Sequence, residues 1–240
     1  MSCGDSKTGP NTPFSIEFRP TQLPSLVKGD VLHDTLGNVD SLRAIVFNSS
    51  GDTIPDAPIS YVHADTSTTV TIDPITGHVT ANNTGFARVV AQTSALQSPP
   101  ETLFVVERPD NFTNITALNG TLDFATARAD SLFPLSVALK SGDVPVDHYR
   151  IEYSFVYPAD LNAGDSTRVL LSNENRKFSL VDTTGTGSTG LSGAATRFLR
   201  ISPIAHSFDD SVVVEARAFL PDHTAVPGSP LRFKVLVHIP

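Results

Sequence analysis

Seven histidines, one cysteine, a glycine-rich run and a few paired acidic residues are the side chains here with the most capacity for chemistry. The run Gly185-Thr-Gly-Ser-Thr-Gly-Leu-Ser-Gly193 has the composition of a phosphate-cradling loop. That chemistry needs Lys and Ser/Thr after the last glycine, at the start of a helix. Ala194-Ala195-Thr196 follows instead, and the pattern beyond is that of a strand. Gly185, Gly187 and Gly190 therefore read as part of a sandwich loop that can order on a partner. The histidines at 33, 63, 78, 148, 206, 223 and 238 include no H-x-H or H-x-x-x-H pair, and Cys3 has no second cysteine. Local spacing thus offers no zinc site. No G-x-S-x-G elbow presents a serine nucleophile. Asp209-Asp210 sits in turn-like sequence, where carboxylates cap turns rather than move protons. Asp110-Asn111 lacks the alternating spacing of a calcium loop. No catalytic residue, metal or cofactor is expected, and no small-molecule ligand.

The chain is 240 residues long, enough for two domains of about 100–120 residues, each with its own core. Fourteen Phe, no Trp, 18 Pro and 15 Gly suit many short strands joined by turns. A net charge of −8 speaks against nucleic acid, which needs a basic face, and against charge attraction to an anionic membrane. No apolar run approaches the ~18 residues of a transmembrane helix. One cysteine leaves no internal disulfide, which points to a bacterial chain. Five N-x-S/T triplets, starting at Asn48, Asn82, Asn111, Asn114 and Asn119, read as turn chemistry ahead of glycan acceptors.

Hydrophobic alternation supplies the elements that must position any site. Phe14 to Phe18 opens a first strand, and Pro20 and Pro24 punctuate the crossing that follows. Leu42, Ala44 and Val46 share one face, Ile59, Tyr61 and His63 alternate, and Thr69 to Ile72 is a β-branched run. Val70 to Thr93 organises this half: two short strands, a tight return at Gly77, then Ala87, Val89 and Ala91 pointing inward. Leu103 and Val105 close the sheet before a proline-containing link at Pro109. The second half repeats the plan. Ser141-Gly-Asp-Val-Pro-Val-Asp147 mirrors Ser50-Gly-Asp-Thr-Ile-Pro-Asp56, after the second strand in each case. Tyr149, Ile151, Tyr153 and Phe155 alternate next; Val212, Val214, Ala216 and Ala218 match the Ala87–Ala91 strand; Leu231, Phe233, Val235 and Val237 close the sheet. The expected division is a tether over 1–13, a sandwich over 14–107, a linker over 108–114 and a second sandwich over 115–240.

Asp73, Thr76, Gly77, Val79, Thr80, Ala81, Gly85, Ala87, Val89 and Ala91 fill a pattern that resembles the end of a bacterial Ig-like domain of group 2. Tyr61 stands where that family commonly has Trp. More loosely, Asp182-Thr-Thr-Gly185 and Leu191-Ser-Gly-Ala-Ala-Thr196 resemble the matching region of group 1, invasin-type domains. Ser2-Cys3-Gly4, followed by a tether rich in Gly, Pro, Ser and Thr, resembles the mature start of a bacterial lipoprotein. These resemblances imply an all-β chain of two Ig-like antiparallel β-sandwiches in tandem. They also imply lipid attachment at Cys3, holding the body on the periplasmic or cell-surface face of a bacterial membrane.

The expected function is then a non-catalytic scaffold or accessory subunit docked on the subunits of a membrane protein complex, an energy-transducing assembly such as a photosystem being one instance. The alternative is a cell-surface adhesin or carbohydrate-binding module, which would show a line of exposed aromatics and has no Trp to build one. Phe14, Ile16 and Phe18, the face carrying Ile45 and Phe47, and Tyr157 in Val156-Tyr157-Pro158 offer apolar surface for a partner. The equal alternative is that a neighbouring strand or domain covers them.

Overall fold

Every regular element among the described residues is a β-strand, and none is a helix long and apolar enough to cross a membrane. The computed structural model describes residues 12–19, 25–94, 96–124, 131–157, 169–185, 192–201 and 211–238. The chain divides into two units, Met1–Val106 and Glu107–Pro240.

Unit 1 holds β1 (Ser15–Arg19), β2 (Ser25–Val27), β3 (Arg43–Phe47), β4 (Ser60–His63), β5 (Val70–Ile72), β6 (Val79–Ala81), β7 (Gly85–Thr93), β8 (Leu96–Gln97) and β9 (Glu101–Val106). One sheet runs β2-β9-β7-β4, with β8 also on β7; β1 pairs β3, and β5 pairs β6. The β2–β9 pair is parallel and the others are antiparallel. Leu42 N–H donates to Gly77 O at 2.9 Å and links the two smaller pairs, while Gly29 N–H donates to Ala81 O at 2.8 Å and ties β6 to the chain leaving β2. Ala87, Val89 and Ala91 of β7 are fully buried against Val46, Val79 and Ala81. Small side chains there let two sheets approach to roughly 10 Å.

Unit 2 holds β10 (Asn111–Asn114), β11 (Asn119–Asp123), β12 (Ser131–Ser141), β13 (Val144–Pro145), β14 (Arg150–Tyr157), β15 (Val169–Ser172), β16 (Val181–Thr183), β17 (Ala194–Ile201), β18 (Ser211–Arg217) and β19 (Leu231–His238). Its sheets run β10-β12-β17-β15, with β13 on β12, and β11-β19-β18-β14-β16. Here too one pair is parallel, β11 on β19. Both units are thus Ig-like antiparallel sandwiches in which the first strand is shared between the two layers.

The repeat read in the sequence has a common geometry. Gly51 and Gly142 both adopt positive φ, at 86° and 58°. The chain then bonds back onto the preceding strand, Ile54 N–H to Val46 O at 2.8 Å and Val146 N–H to Leu139 O at 2.9 Å. Residues 111–114, expected within the linker, instead form strand β10. Phe112 lies opposite Leu139 and is 1% exposed. One buried Phe among Asn and Thr is too short a pattern to betray a strand, but it fills one core position.

Gly77 is held tightly. Its φ is +70°, and a Cβ there would lie 2.7 Å from Leu42 O and 2.9 Å from the Tyr61 ring. At Gly51, also at positive φ, a Cβ would meet open space. Gly77→Ala is expected to destabilise unit 1 by about 3 kcal/mol, combining left-handed strain with overpacking. Gly51→Ala should cost only about 1 kcal/mol. Urea unfolding of the two variants tests the ranking.

Candidate interaction surfaces

Strand alternation fixes a period but not which face turns inward, and β1 shows the difference. Ile16 lies opposite Val46 and Phe18 opposite Ala44, so both point into the sandwich. Ile16 is 6% exposed, and Phe18 packs edge-on against Tyr61 with ring centroids 6.0 Å apart. Ile16 and Phe18 are therefore core residues rather than partner-binding ones. The outward side of this pair carries Ser15 and Glu17 beside Phe47 and Ile45, which are half-buried. Phe14 alone of the three is on the surface, at 64% exposed, its N–H donating to Phe47 O at 2.8 Å. Tyr157, beyond a bulge at the end of β14, is 39% exposed. Cys3, Gly187, Gly190, Pro158 and Asp209-Asp210 lie outside the described residues.

Gly185 belongs to an internal clamp. Asp147 accepts hydrogen bonds from Gly193 N–H and, at 2.7 Å, from Ser192 Oγ, while Gly185 N–H donates to Ala194 O at 2.8 Å. A Cβ on Gly185 would run into the Asp147 carboxyl, and φ there is +73°. The buried Thr184 donates to Val146 O at 2.6 Å and accepts from Tyr149 N–H at 2.9 Å. Both ends of the glycine run are thus fixed to the turn that precedes β14. Glycine is needed at 185 by the fold itself. Asp147→Ala should cost about 1–2 kcal/mol through the lost hydrogen bonds and expose the Gly193 amide, read as faster hydrogen exchange at that amide.

Many of the described acidic side chains serve turns and ion pairs. Among the described residues, no three of His, Cys, Asp or Glu converge as metal ligands would. Asp34 accepts from the Asn38 side chain and from the Asn38 and Leu36 amides. Asp65 accepts from the Ser67 and Arg88 amides, and Asp73 from those of Thr76 and Ile75. These donors hold all three carboxyls below the usual range.

Unit 2 also buries charge. Arg197 is on the inward face of β17 opposite Leu135, and its Nη1 lies 2.9 Å from Asp182 Oδ1. Tyr153 is buried among these strands and donates to Leu135 O at 3.2 Å. Burial first, and then the Asp182 charge, push its phenol above the ordinary range. On the opposite face of β18, the Glu215 side chain is 1% exposed and bonds both Arg217 and Arg232, the latter Nε at 2.8 Å. Burial alone would raise the Glu215 pKa, but hydrogen bonds from Arg232 and Arg217 outweigh it and hold the carboxyl below 4.5.

A depressed folded-state pKa stabilises the fold above the unfolded value and loses that contribution as pH falls through the folded one. Glu215→Gln should therefore be less stable than the parent chain at neutral pH, by about 1–3 kcal/mol. The gap should close on acidification below about pH 4. Thermal unfolding across that range measures it.

The outward half of β19 carries a surface that alternation alone does not reveal. Leu231-Arg-Phe-Lys-Val-Leu-Val-His carries a second stripe, Arg232, Lys234 and Leu236, which the register sets beside Asn119 and Thr121 of β11. The inward stripe was legible as core; the outward one needed its neighbours.

No protein-family model matches the chain, and no curated protein matches it. Among solved structures, the S-layer protein SbsC domains 4 and 5 align over 95% of this chain and 99% of that one, at 11% identity and a TM-score of 0.33. The adhesin InvE of Yersinia pseudotuberculosis aligns over 94% of this chain and 58% of its own, at 14% identity and a TM-score of 0.36. The fibronectin(III)-like modules of CbhA from Clostridium thermocellum align over 92% and 93%, at 12% identity and a TM-score of 0.33. The assignment of two Ig-like sandwiches stands on strand order and register, and likenesses of this depth carry nothing further.

Proposed function

We propose that this chain is a non-catalytic binding module displayed on the outer side of a bacterial membrane and tethered there through an acyl chain on Cys3. The observation that supports it is the division of labour among the described side chains. Asp34, Asp65, Asp73 and Asp147 hold turns, and Glu215 and Asp182 hold arginines. Large apolar side chains such as Phe14, Ile75, Phe86, Val144 and Leu236 remain exposed. Groups engaged in this way are committed to the fold, whereas exposed apolar side chains gain by being covered. Its partners in this reading are subunits of a membrane protein complex, and the tether raises the local concentration at which weak contacts act. Nothing in the described residues favours an energy-transducing complex over any other. A cell-surface adhesin is the second form of the same reading, since an Ig-like sandwich serves many roles and the site decides among them.

The test is purification from native membranes in mild detergent, with mass spectrometry of the Cys3 peptide and of co-purifying proteins. Expected are a diacylglyceryl thioether on Cys3, companions in fixed ratio, and transfer of the Cys3→Ser variant to the aqueous fraction. A monomeric chain with unmodified Cys3 in the soluble fraction would overturn the reading.

A further inference from the structure

One face of unit 2 runs against the chain's net charge of −8. Along β19, Phe233, Val235 and Val237 are buried, so Arg232, Lys234 and Leu236 face outward. The parallel register places Asn119 beside Lys234 and Thr121 beside Leu236. On the other side, Glu215 of β18 lies opposite Arg232 and spends both carboxylate oxygens on Arg232 and Arg217. Glu152 of β14 lies opposite Arg217 but is paired with Arg150 at 2.8 Å, and Asp123 stands at the far end of β11 opposite His238. Arg217, Arg232 and Lys234 against Glu215 leave the middle of this face cationic. Each guanidinium has five N–H donors, so each keeps some for a ligand beyond Glu215. The Arg232 side chain is 66% exposed.

Beside these cations lies a shallow hollow of about 360 Å³ lined by Asn119, Gly120, Thr121, Lys234 and Leu236. Phe133 packs against the backbone of Gly120, where a Cβ would collide with its ring, and this fixes the strand beneath the hollow. β11 is the terminal strand of its sheet, so the hollow opens at the sheet edge. Cation, amide, hydroxyl and an apolar platform thus meet on one flat face.

We propose that this face binds an acidic polysaccharide of the uronic-acid type. Lys234 and Arg232 take carboxylates, Asn119 and Thr121 take ring hydroxyls, and the exposed Leu236 lies under the apolar face of a sugar ring. An acidic peptide would be met by the cations alone. The amide, hydroxyl and apolar neighbours are the groups that single out a hydroxyl-rich ligand. Arg232 and Lys234 stand two residues apart on one strand, about 6.7 Å, so charges along a polymer can be met in turn. The proposal rests on reading the chain as a binding module and is independent of the Cys3 tether.

The test is calorimetric titration of the full chain with polygalacturonate, with dextran as a neutral polymer and polyglutamate as an acidic peptide. Polygalacturonate should bind, and more weakly as salt screens the charges. Lys234→Gln should weaken binding about tenfold through loss of a charge-assisted contact. Thr121→Val should weaken it about threefold through loss of a neutral one. Both variants should keep the parent melting temperature, since both sites are exposed. Absence of binding, equal binding of dextran or polyglutamate, or parent-like affinity in a folded Lys234→Gln chain would each overturn the proposal. A failure here with acylated Cys3 and its companions intact removes the sugar site alone; unmodified Cys3 with polygalacturonate binding intact removes the tether alone.

Discussion

Sharing the first strand between two sheets is the constraint on which both units depend. β1 joins one layer through β3 while β2 runs parallel to β9 in the other, and β10 and β11 divide in the same way between β12 and β19. A two-layer sandwich leaves open edges, each a row of unpaired N–H and C=O groups. A strand that changes layers pairs with an edge in each sheet and ties the two together. The inward faces can then be filled by small and β-branched residues, as they are by Ala87, Val89 and Ala91 in one unit and Val212, Val214 and Ala216 in the other.

Within that frame the two units use polar groups differently. The core of unit 1 is apolar, with Tyr61 and the Phe18 ring packed on it as its large aromatics. Unit 2 carries Arg197 and Asp182 on the inner side of its sheets and Glu215 beneath two arginines. Desolvating an ion pair can cost as much as the pair returns, so such pairs argue for specificity of arrangement more than for stability. Arg197 also donates to Thr196 O and Ser179 Oγ, which ties β17 to the approach of β16 in the facing sheet. The register of one layer against the other is thereby specified by directional bonds, which apolar contacts alone do not supply.

Much of this fold was legible because a strand buried on one side advertises itself with a period of two. Leu135, Val137 and Leu139, or Leu103 and Val105, need nothing but their own alternation. Parallel pairing leaves no such mark, since β2 is three residues long and its partner is far away in sequence. Nor does alternation carry a sign. Ile16 and Phe18 resemble a surface stripe until Val46 and Ala44 are placed opposite them. Arg197 would be assigned outward by its charge, and only Asp182, fifteen positions away, makes an inward setting tenable. The cationic face was illegible for the same reason: Lys234 is unremarkable until the register brings Asn119 and Thr121 beside it.

The Asp147 clamp has a consequence for how this chain can change over time. Because Gly185, Ser192 and Gly193 are held from below, the core does not sense how many residues join them. Lengthening a connection whose ends are already fixed costs little, about 0.6 kcal/mol for each doubling. Insertions between Gly185 and Ser192 can therefore accumulate at little cost, while each substitution at Asp147 or Gly185 draws on the stability of the sandwich. Variation among descendants of this chain has a preferred outlet, and it opens at that one place on the second unit.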